Sequence, residues 1–467
     1  MRKTKRRIEF FRFYDYQGIA RHLEKMAQKG WMISKISNYF WTYRRIQPTP
    51  LRFAVTYFPE ASDFNPEPTE HQQDFMEYCQ AAGWQFTTQW AQMQIFYNEN
   101  LNAVPLETDE FSRLENIHRC MRKNFLPGNF LLLGLMILLL VLQLITASED
   151  LAFSLASNSR LIVIALPLLA IVDVGIALIG YYLWRRRSQR SIARGGSCIE
   201  SGPLRSLPEK IMSGMVLLLL VLYLFTLGSR WVILLVPIAA TAAMIAVILG
   251  ARSMMRKKGF GREANIAAIG ILIVVLSVGY GFGQTFFFSR LHDLGIFEKK
   301  SAYIYTTQNG SSTWDWKVYN DPIPLTVEDL RPTDYPHYSC ELTAQSSPLA
   351  SVLKASQTGF PDELGGDERL LYTVIRLKQP FWYEPVLKSL LKSEEKFIYD
   401  PFDSHKDTFL LVQAPEWGAS AVYQRHIGEE ALPEFYVCYA PGCILQLDLS
   451  WEPTAEQIAI IRQKLGL

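Results

Sequence analysis

Five long apolar runs between residues 127 and 288 constrain this chain more than any other feature of its sequence. Each has about 17–24 residues, the length that an α-helix needs to cross roughly 30 Å of hydrocarbon. None shows the polar stripe of a helix buried in a soluble protein. The sequence therefore predicts a membrane domain of five helices, at about residues 130–147, 161–184, 211–227, 231–250 and 266–288.

The placement of Lys and Arg predicts which ends of these helices face the cytoplasm, because cytoplasmic loops carry an excess of both. Only Arg160 and Arg230 lie in the connections after the first and third runs. Sixteen lie just before the first run or in the connections after the second and fourth: Arg113, Arg119, Arg122, Lys123, Arg185, Arg186, Arg187, Arg190, Arg194, Arg205, Lys210, Arg252, Arg256, Lys257, Lys258 and Arg262. The N-terminus is therefore expected in the cytoplasm and the C-terminus outside it, in a multi-pass protein of the cell membrane.

The net charge of +2 conceals three regions of different charge. Residues 1–126 carry 17 Lys/Arg and 14 Asp/Glu, residues 127–288 carry 14 and 6, and residues 289–467 carry 16 and 25. We therefore divide the chain into a cytoplasmic domain, a transmembrane domain and an acidic extracytoplasmic domain with these boundaries. The basic start, MRKTKRR, is not followed by an apolar stretch, so the first membrane helix rather than a cleavable signal peptide is expected to direct insertion.

Asp173 interrupts the second apolar run, where a carboxylate is costly to bury. One interpretation is a proton or cation site. The other is a carboxyl group that pairs with a polar neighbour or stays protonated, and it is favoured because the other four runs contain no Lys, His or Glu partner.

Residues 8–98 read as two copies of a strand-helix-strand-strand unit, an internal duplication. In the first copy a strand around 10–14 precedes a helix with Ile19, Leu23, Met26 and Ala27 on one face. In the second, Thr69 and Gln72 are expected to form a capping box before the apolar face Phe75, Met76, Cys79 and Ala82. The helix ends align as QKGW and AAGW. Two such units are expected to form one antiparallel sheet with both helices on one face, an α+β domain.

Aromatic residues are dense in this domain, and five of them recur at matching places: Trp31, Trp41, Tyr43, Trp84 and Trp90. One interpretation is a pocket for a small apolar or cationic ligand. The alternative, which we favour, is that these side chains fill the core between sheet and helices.

The C-terminal region reads as a compact α+β domain with helices at about 385–395 and 454–465. Thr454 and Gln457 are expected to form a capping box. A hairpin is expected from 435–439 and 443–449. Cys438 and Cys443 would face each other across it and either form a disulfide or remain free buried thiols.

No pattern in the sequence indicates catalysis, a cofactor or a metal site. The seven histidines are never paired at metal-ligand spacing, and no zinc signature, P-loop, nucleophile elbow or dinucleotide-binding glycine pattern occurs. Nucleic-acid binding has little support, because the net charge of the N-terminal domain is small and the other basic residues adjoin the membrane. We expect a protein that is not an enzyme.

Several stretches carry a resemblance to a known family: FFRFYDYQGIARHLEKMAQKGWMI, YRRIQPTPLRFAVTYFPEASDF, YCQAAGWQF and LETDEFSRL. Over about residues 8–120 the chain resembles the bacterial membrane-protein family catalogued as domain of unknown function 2812. The resemblance implies a Gram-positive membrane protein, of a kind often encoded beside a PadR-like transcriptional regulator. The family has no established activity, so the resemblance implies no catalytic residues.

Two hypotheses follow for function. The first is a membrane sensor or regulatory protein that couples the outer domain to a cytoplasmic domain that binds a ligand or a protein partner. The second is a transport-associated component of an antimicrobial or envelope-stress response, whose polar path would use Gln143, Asp173 and Gln284. An enzyme and a structural scaffold are lesser alternatives.

Overall fold

The computed structural model describes residues 3–37, 40–62, 65, 68–200, 207–226, 235–296, 299–309, 312–333, 337–360, 368–393, 397–398 and 405–467. Two compact units divide the chain. The first contains Met1–Leu139 and Leu166–Arg290, and the second contains Leu140–Ala165 and Leu291–Leu467. The second unit thus takes in a part of the chain that separates two apolar runs.

The N-terminal domain, residues 3–120 of the first unit, contains two strand-helix-strand-strand units in succession. The order is β1 (Thr4–Ile8), α1 (Tyr16–Gln28), β2 (Trp31–Lys35), β3 (Phe40–Arg45), β4 (Arg52–Tyr57), α2 (Glu70–Ala81), β5 (Gln85–Trp90), β6 (Met93–Asn98) and α3 (Glu110–Cys120). Helix α1 buries the predicted face. It ends before Gly30, whose φ of +78° favours glycine.

The expectation of one continuous sheet was wrong. The strands form two three-stranded antiparallel sheets, ordered β1-β3-β2 and β4-β6-β5. Both carry a register shift at the same place, between Ile33 and Lys35 in the first and between Phe86 and Thr88 in the second. Such bulges interrupt the ladder of backbone hydrogen bonds. The sheets instead meet through a side chain, because Thr87 Oγ1 donates to the Ile33 carbonyl at 3.1 Å.

Two local predictions in this domain were also wrong. Residues 10–14 are a loop rather than a strand, because the first strand ends at Ile8. Thr69 precedes α2 without a side-chain cap, and the Gln72 side-chain amide donates to Gln89 Oε1 at 2.8 Å, so no capping box forms. Of the predicted apolar face of α2, Cys79 is fully buried and Ala82 is exposed.

The apolar runs form helices. They are α4 (Leu126–Glu149), α6 (Asn158–Ile192), α7 (Leu207–Thr226), α8 (Leu235–Lys257) and α9 (Arg262–Asp293). Within the described residues, four helices are long and apolar enough to cross a membrane, and the apolar part of α7 is shorter, Gly214–Thr226. Residues 231–234 of the fourth predicted span, together with Leu227, Arg205 and Arg230, lie outside the described residues. The protein is therefore a multi-pass membrane protein by the length and composition of its helices.

Two features interrupt the regular geometry of these helices. A π-helical turn, Met121–Phe125, joins α3 to α4. Pro167 lies inside α6, close to the boundary between the two units. Because proline lacks a backbone N–H, the carbonyl of Val163 has no intrahelical donor there.

The C-terminal domain, in the second unit, is built on an eight-stranded antiparallel sheet ordered β12-β13-β14-β15-β16-β11-β10-β9. Its elements are β7 (Tyr303–Asn309), β8 (Ser312–Val318), α10 (Val327–Leu330), β9 (His337–Ser346), β10 (Ala350–Phe360), β11 (Arg369–Leu377), α11 (Tyr383–Ser393), β12 (Phe397–Ile398), β13 (His405–Val412), β14 (Ala421–Ile427), β15 (Glu430–Tyr439), β16 (Cys443–Leu449) and α12 (Ala455–Leu465). The predicted hairpin and both predicted helices are present. The helices lie within two residues of their predicted bounds, whereas the first strand of the hairpin begins at Glu430, five residues before its predicted start. The capping box of Thr454 and Gln457 is confirmed.

Each face of this sheet carries its own hydrophobic core. One core holds α10 and α12, with Ile458 and Ile461 buried against strand residues such as Leu445. The other holds α11 and a short helix, α5 (Leu151–Ala156), that connects α4 to α6. A connection between two predicted membrane helices thus contributes to the core of the C-terminal domain.

Candidate functional site

A cavity in the first unit, which we call the aromatic cavity, is formed by the loop before α1, the π-helical turn, α4 and α6. Its volume is about 310 Å³. It is lined by Phe10, Phe11, Arg12, Phe13, Tyr14, Trp90, Met121, Phe125, Leu126, Asn129, Leu132, Asp173, Val174, Ala177, Leu178 and Tyr181. Two residues singled out in the sequence for different reasons, Trp90 and Asp173, therefore line the same cavity.

Aromatic contacts fix the loop 10–14 against the helices. Phe13 lies 4.4 Å from Phe125 and 5.7 Å from Trp90, measured between ring centroids. Tyr14 lies 4.6 Å from Trp184 of α6. The loop is therefore held by rings from a strand, the π-helical turn and α6. The π-helical turn, a feature found often at functional sites, carries Met121 and Phe125 in the cavity wall.

Arg12 brings a positive charge to the cavity. Its Nη1 donates to Tyr14 Oη at 2.8 Å, and its guanidinium lies 5.9 Å from the ring centroid of Tyr14. The same nitrogen would lie 2.9 Å from a Cβ added to Gly180 of α6. Glycine at position 180 therefore allows the guanidinium to approach the helix closely.

Asp173 brings a carboxyl group to the same wall. Its Oδ1 is buried and has no hydrogen-bond partner among the described residues. The helix α6 begins at Asn158 rather than at the predicted residue 161. Asp173 is therefore about 22 Å along the axis from the start of the helix, at a rise of roughly 1.5 Å per residue. Asp173 lies near the middle of α6, and Tyr181 and Trp184 follow about two and three turns later.

The other predicted pocket residues do not line the aromatic cavity. Trp41 and Tyr43 are buried in the core of the domain. His22 Nε2 lies 3.1 Å from Tyr43 Oη and 3.2 Å from Glu9 Oε1, and Trp41 packs 5.9 Å from the His22 ring. Burial, followed by the nearby Glu9 carboxylate, raises the pKa of Tyr43 well above its ordinary value. For this pair the core interpretation fits the structure.

Trp31 and Trp84 occupy two further places. Trp31 is half-buried, and two cations lie close to its ring, Arg45 at 5.0 Å and Lys5 at 5.4 Å from the centroid. Trp84 is buried, and its Nε1 donates to the Val104 carbonyl at 3.1 Å. The five predicted aromatic residues therefore do not form one pocket.

A second cavity, of about 360 Å³, follows the free edge of β4 and includes Trp84 in its wall. Its charged groups are bonded either to one another or to the backbone. The Phe53 amide on the strand edge donates to Glu24 Oε1 at 3.3 Å, and Arg113 Nε lies 2.9 Å from Glu107 Oε2. Burial raises the pKa of Glu107, although Arg113 opposes the shift. These pairs cover an otherwise unpaired strand edge, which is a structural role.

The expectation that Cys438 and Cys443 face each other was wrong. Cys438 pairs with Ile444 across the hairpin, and Cys443 pairs with Tyr439. The two thiols therefore point to opposite faces of the sheet, where they join different cores, and both are free. Burial raises the pKa of the Cys438 thiol to about 11 and also raises that of Cys443.

Several residues of the aromatic cavity could not be selected from the sequence. Arg12 and the π-helical turn carry no motif, and the aromatic run at 10–14 resembled a strand because aromatic residues favour strands. The only available signal was that this run ends beside the helix start at Tyr16. Among the described residues, no group of three or more His, Cys, Asp or Glu side chains could hold a metal ion.

Residues 15–127 match the family described as Protein of unknown function (DUF2812), in agreement with the resemblance found in the sequence. The match covers the greater part of the N-terminal domain and reaches the first residues of α4. No curated protein and no solved structure matches the chain.

Proposed function

We propose that the protein is a bacterial membrane sensor or regulatory protein, and that its aromatic cavity binds a small amphipathic cation. The observation that carries this proposal is the cavity wall, which combines the rings of Phe13, Trp90 and Phe125 with the unpartnered carboxylate oxygen of Asp173. Aromatic faces attract cations, and a carboxylate in a weakly polar wall adds charge attraction. The guanidinium of Arg12 lies in the same wall and donates hydrogen bonds, so it favours ligands that also carry a hydrogen-bond acceptor.

The helix α6 supports a coupling role for such a ligand. At its start, Asn158 Nδ2 donates to the Ser346 carbonyl of the C-terminal domain at 2.9 Å. Near its end, Trp184 packs on Tyr14 of the N-terminal domain. Asp173 lies on this same helix between the two contacts. A ligand that binds one arrangement of α6 better than another would shift the population of that arrangement.

The proposed sidedness is an N-terminal domain in the cytoplasm and a C-terminal domain outside it, across five spans. The Lys/Arg asymmetry supports this orientation. It is tested by adding protease to intact cells that express the full chain. Cleavage confined to the region after residue 290 is expected, and cleavage within residues 1–120 of intact cells would reverse the orientation.

We further propose that the N-terminal domain arose by internal duplication. The support is the matching order of elements, the matching strand order in the two sheets and the register shift at the same place in each.

Ligand binding is tested on the full chain in lipid nanodiscs with tetraphenylphosphonium, an aromatic cation, as the probe. Saturable quenching of tryptophan fluorescence is expected for the natural chain, and Asp173→Asn is expected to weaken it about tenfold, equivalent to about 1.4 kcal/mol. Glu149→Gln removes a carboxylate at the end of α4 that does not line the cavity, and it serves as the control. Absence of saturable binding, or equal binding by Asp173→Asn, would exclude the cavity as a cation site.

The second candidate function is a transport-associated component, and it is supported by the same intramembrane carboxylate. The two functions differ in what Asp173→Asn changes. In a transporter this variant abolishes movement of a cation across vesicles that contain the protein. In a sensor the natural chain shows no such movement, and the variant loses only ligand binding.

A further inference from the structure

The C-terminal domain carries a segment, residues 378–392, that is tied to both ends of the connection between α4 and α6. At one end, Ser389 Oγ of α11 donates to the Ser148 carbonyl in the last turn of α4 at 3.0 Å. At the other end, Lys378 Nζ donates to the Ser347 carbonyl. Ser347 Oγ in turn donates to the Leu155 carbonyl, three residues before α6 begins.

These hydrogen bonds determine the depth of the segment relative to a bilayer. The hydrocarbon span predicted for α4 ends near Ala147, one residue before Ser148. The polar headgroup region extends roughly 5–7 Å beyond the hydrocarbon on each side. A side chain that is hydrogen-bonded to Ser148 therefore lies at headgroup level, and so does the adjoining part of α11.

The surface of the segment is suited to that position. Phe381 lies between the two ties, and 67% of its surface is exposed. Lys388 and Lys392 are exposed on α11, and Glu384 is the only acidic residue of the segment. The segment carries a net charge of +2, in contrast with the net −9 of residues 289–467. An exposed aromatic ring flanked by lysines is typical of a surface in contact with anionic headgroups.

We propose that residues 378–392 form a lipid-contacting surface, in which Phe381 enters the headgroup region and Lys388 and Lys392 face anionic lipid phosphates. The bilayer is the one that α4 and α6 cross, so no second membrane is needed. Contact at this place holds the C-terminal domain against the membrane surface at a fixed orientation. This inference concerns a region other than the aromatic cavity and does not depend on ligand binding there.

The test uses the full chain in nanodiscs of phosphatidylcholine with phosphatidylglycerol. A bimane label is attached at Phe381→Cys or, as the matched control, at Ala459→Cys, an exposed position of α12 on the opposite face of the sheet. The natural chain, treated in parallel, measures labelling of its six native cysteines. Lipids with a nitroxide near the headgroup quench labels in the membrane surface, and aqueous iodide quenches labels in water.

Quenching of the label at 381 by nitroxide lipid, at least about threefold stronger than at 459, is the expected result. A label at 381 that iodide quenches as well as it quenches the label at 459 would overturn the proposal. Protection from both quenchers would also overturn it, because it would indicate that protein, such as a second copy of the chain, covers the segment. Lys388→Gln combined with Lys392→Gln is expected to reduce nitroxide quenching at 381 only when phosphatidylglycerol is present.

Discussion

Tyr14 and Trp184 pack against each other with ring centroids 4.6 Å apart, although 170 residues separate them in the chain. Tyr14 precedes the first helix of the N-terminal domain, and Trp184 lies near the end of α6. Both are buried. The core of the N-terminal domain therefore includes the end of a predicted membrane helix, and removal of that helix would expose core side chains.

Trp184→Ala is expected to destabilise the N-terminal domain by about 3–5 kcal/mol, the usual loss for a buried aromatic ring. The variant also removes the hydrogen bond from Trp184 Nε1 to the Ile199 carbonyl, which is 2.7 Å long. Hydrogen exchange in α1 of the full chain measures the effect. Tyr182→Ala, at a position that is 43% exposed, is the control and should leave exchange nearly unchanged.

Leu155→Ala is expected to destabilise the C-terminal domain by about 2–5 kcal/mol, although Leu155 belongs to the connection between α4 and α6. Its side chain is 4% exposed and packs in the core with α11. Hydrogen exchange in β10 and α11 should rise. Leu144→Ala removes the same atoms from a half-exposed position on α4. Equal effects of the two variants would contradict the packing described for α5.

The C-terminal domain is expected to become less stable as the pH is lowered, because Glu368 becomes protonated. Burial would raise the pKa of this carboxyl, but hydrogen bonds from Tyr338, Thr333 and Arg331 outweigh burial and lower it. A lowered pKa in the folded state stabilises folding above the unfolded value of roughly 4.3, and this contribution disappears as pH falls through the folded value.

Glu368→Gln should therefore unfold at a lower denaturant concentration than the natural chain at pH 7, and the difference should shrink below about pH 4. The emission of Trp451, whose ring lies 3.9 Å from the Arg331 guanidinium, is a local probe of this cluster. A difference between the two proteins that is independent of pH would show that Glu368 acts through packing alone.

Cys438 and Cys443 are expected to remain unbridged even in an oxidising compartment, because their side chains point to opposite faces of the sheet. Alkylation of the folded protein at pH 8 should modify half-exposed Cys443 before buried Cys438, whose pKa of about 11 keeps it a thiol. Mass spectrometry of peptides identifies the modified residue. Detection of a peptide pair joined through these two cysteines would contradict the register of the hairpin.

The sequence was most informative where one residue pattern determines one element. The buried face of α1 and the capping box at Thr454 follow from local spacing, and both predictions are confirmed. The family resemblance is also confirmed, over residues 15–127.

The sequence was least informative about which elements meet. Strand propensity does not say whether two similar units share a sheet, and the register shifts after Ile33 and Phe86 have no clear residue signature. The aromatic cavity combines segments that are about 80 residues apart along the chain, so only the fold brings Trp90 and Asp173 to one wall. The sequence did not indicate that α5 contributes to the core of the C-terminal domain, because its residues directly follow an apolar run.

Pro167 makes α6 easier to bend at one turn, a property that the contacts of the helix alone do not give it. The helix carries Asn158 on one side of this residue and both Asp173 and Trp184 on the other, and a single backbone hydrogen bond is missing between them. A missing bond lowers the resistance of a helix to bending at that turn. Movement at either end of α6 is therefore expected to change the bend angle at Pro167 rather than to shift the helix along its axis. A signal carried by this helix would then be a change in that angle.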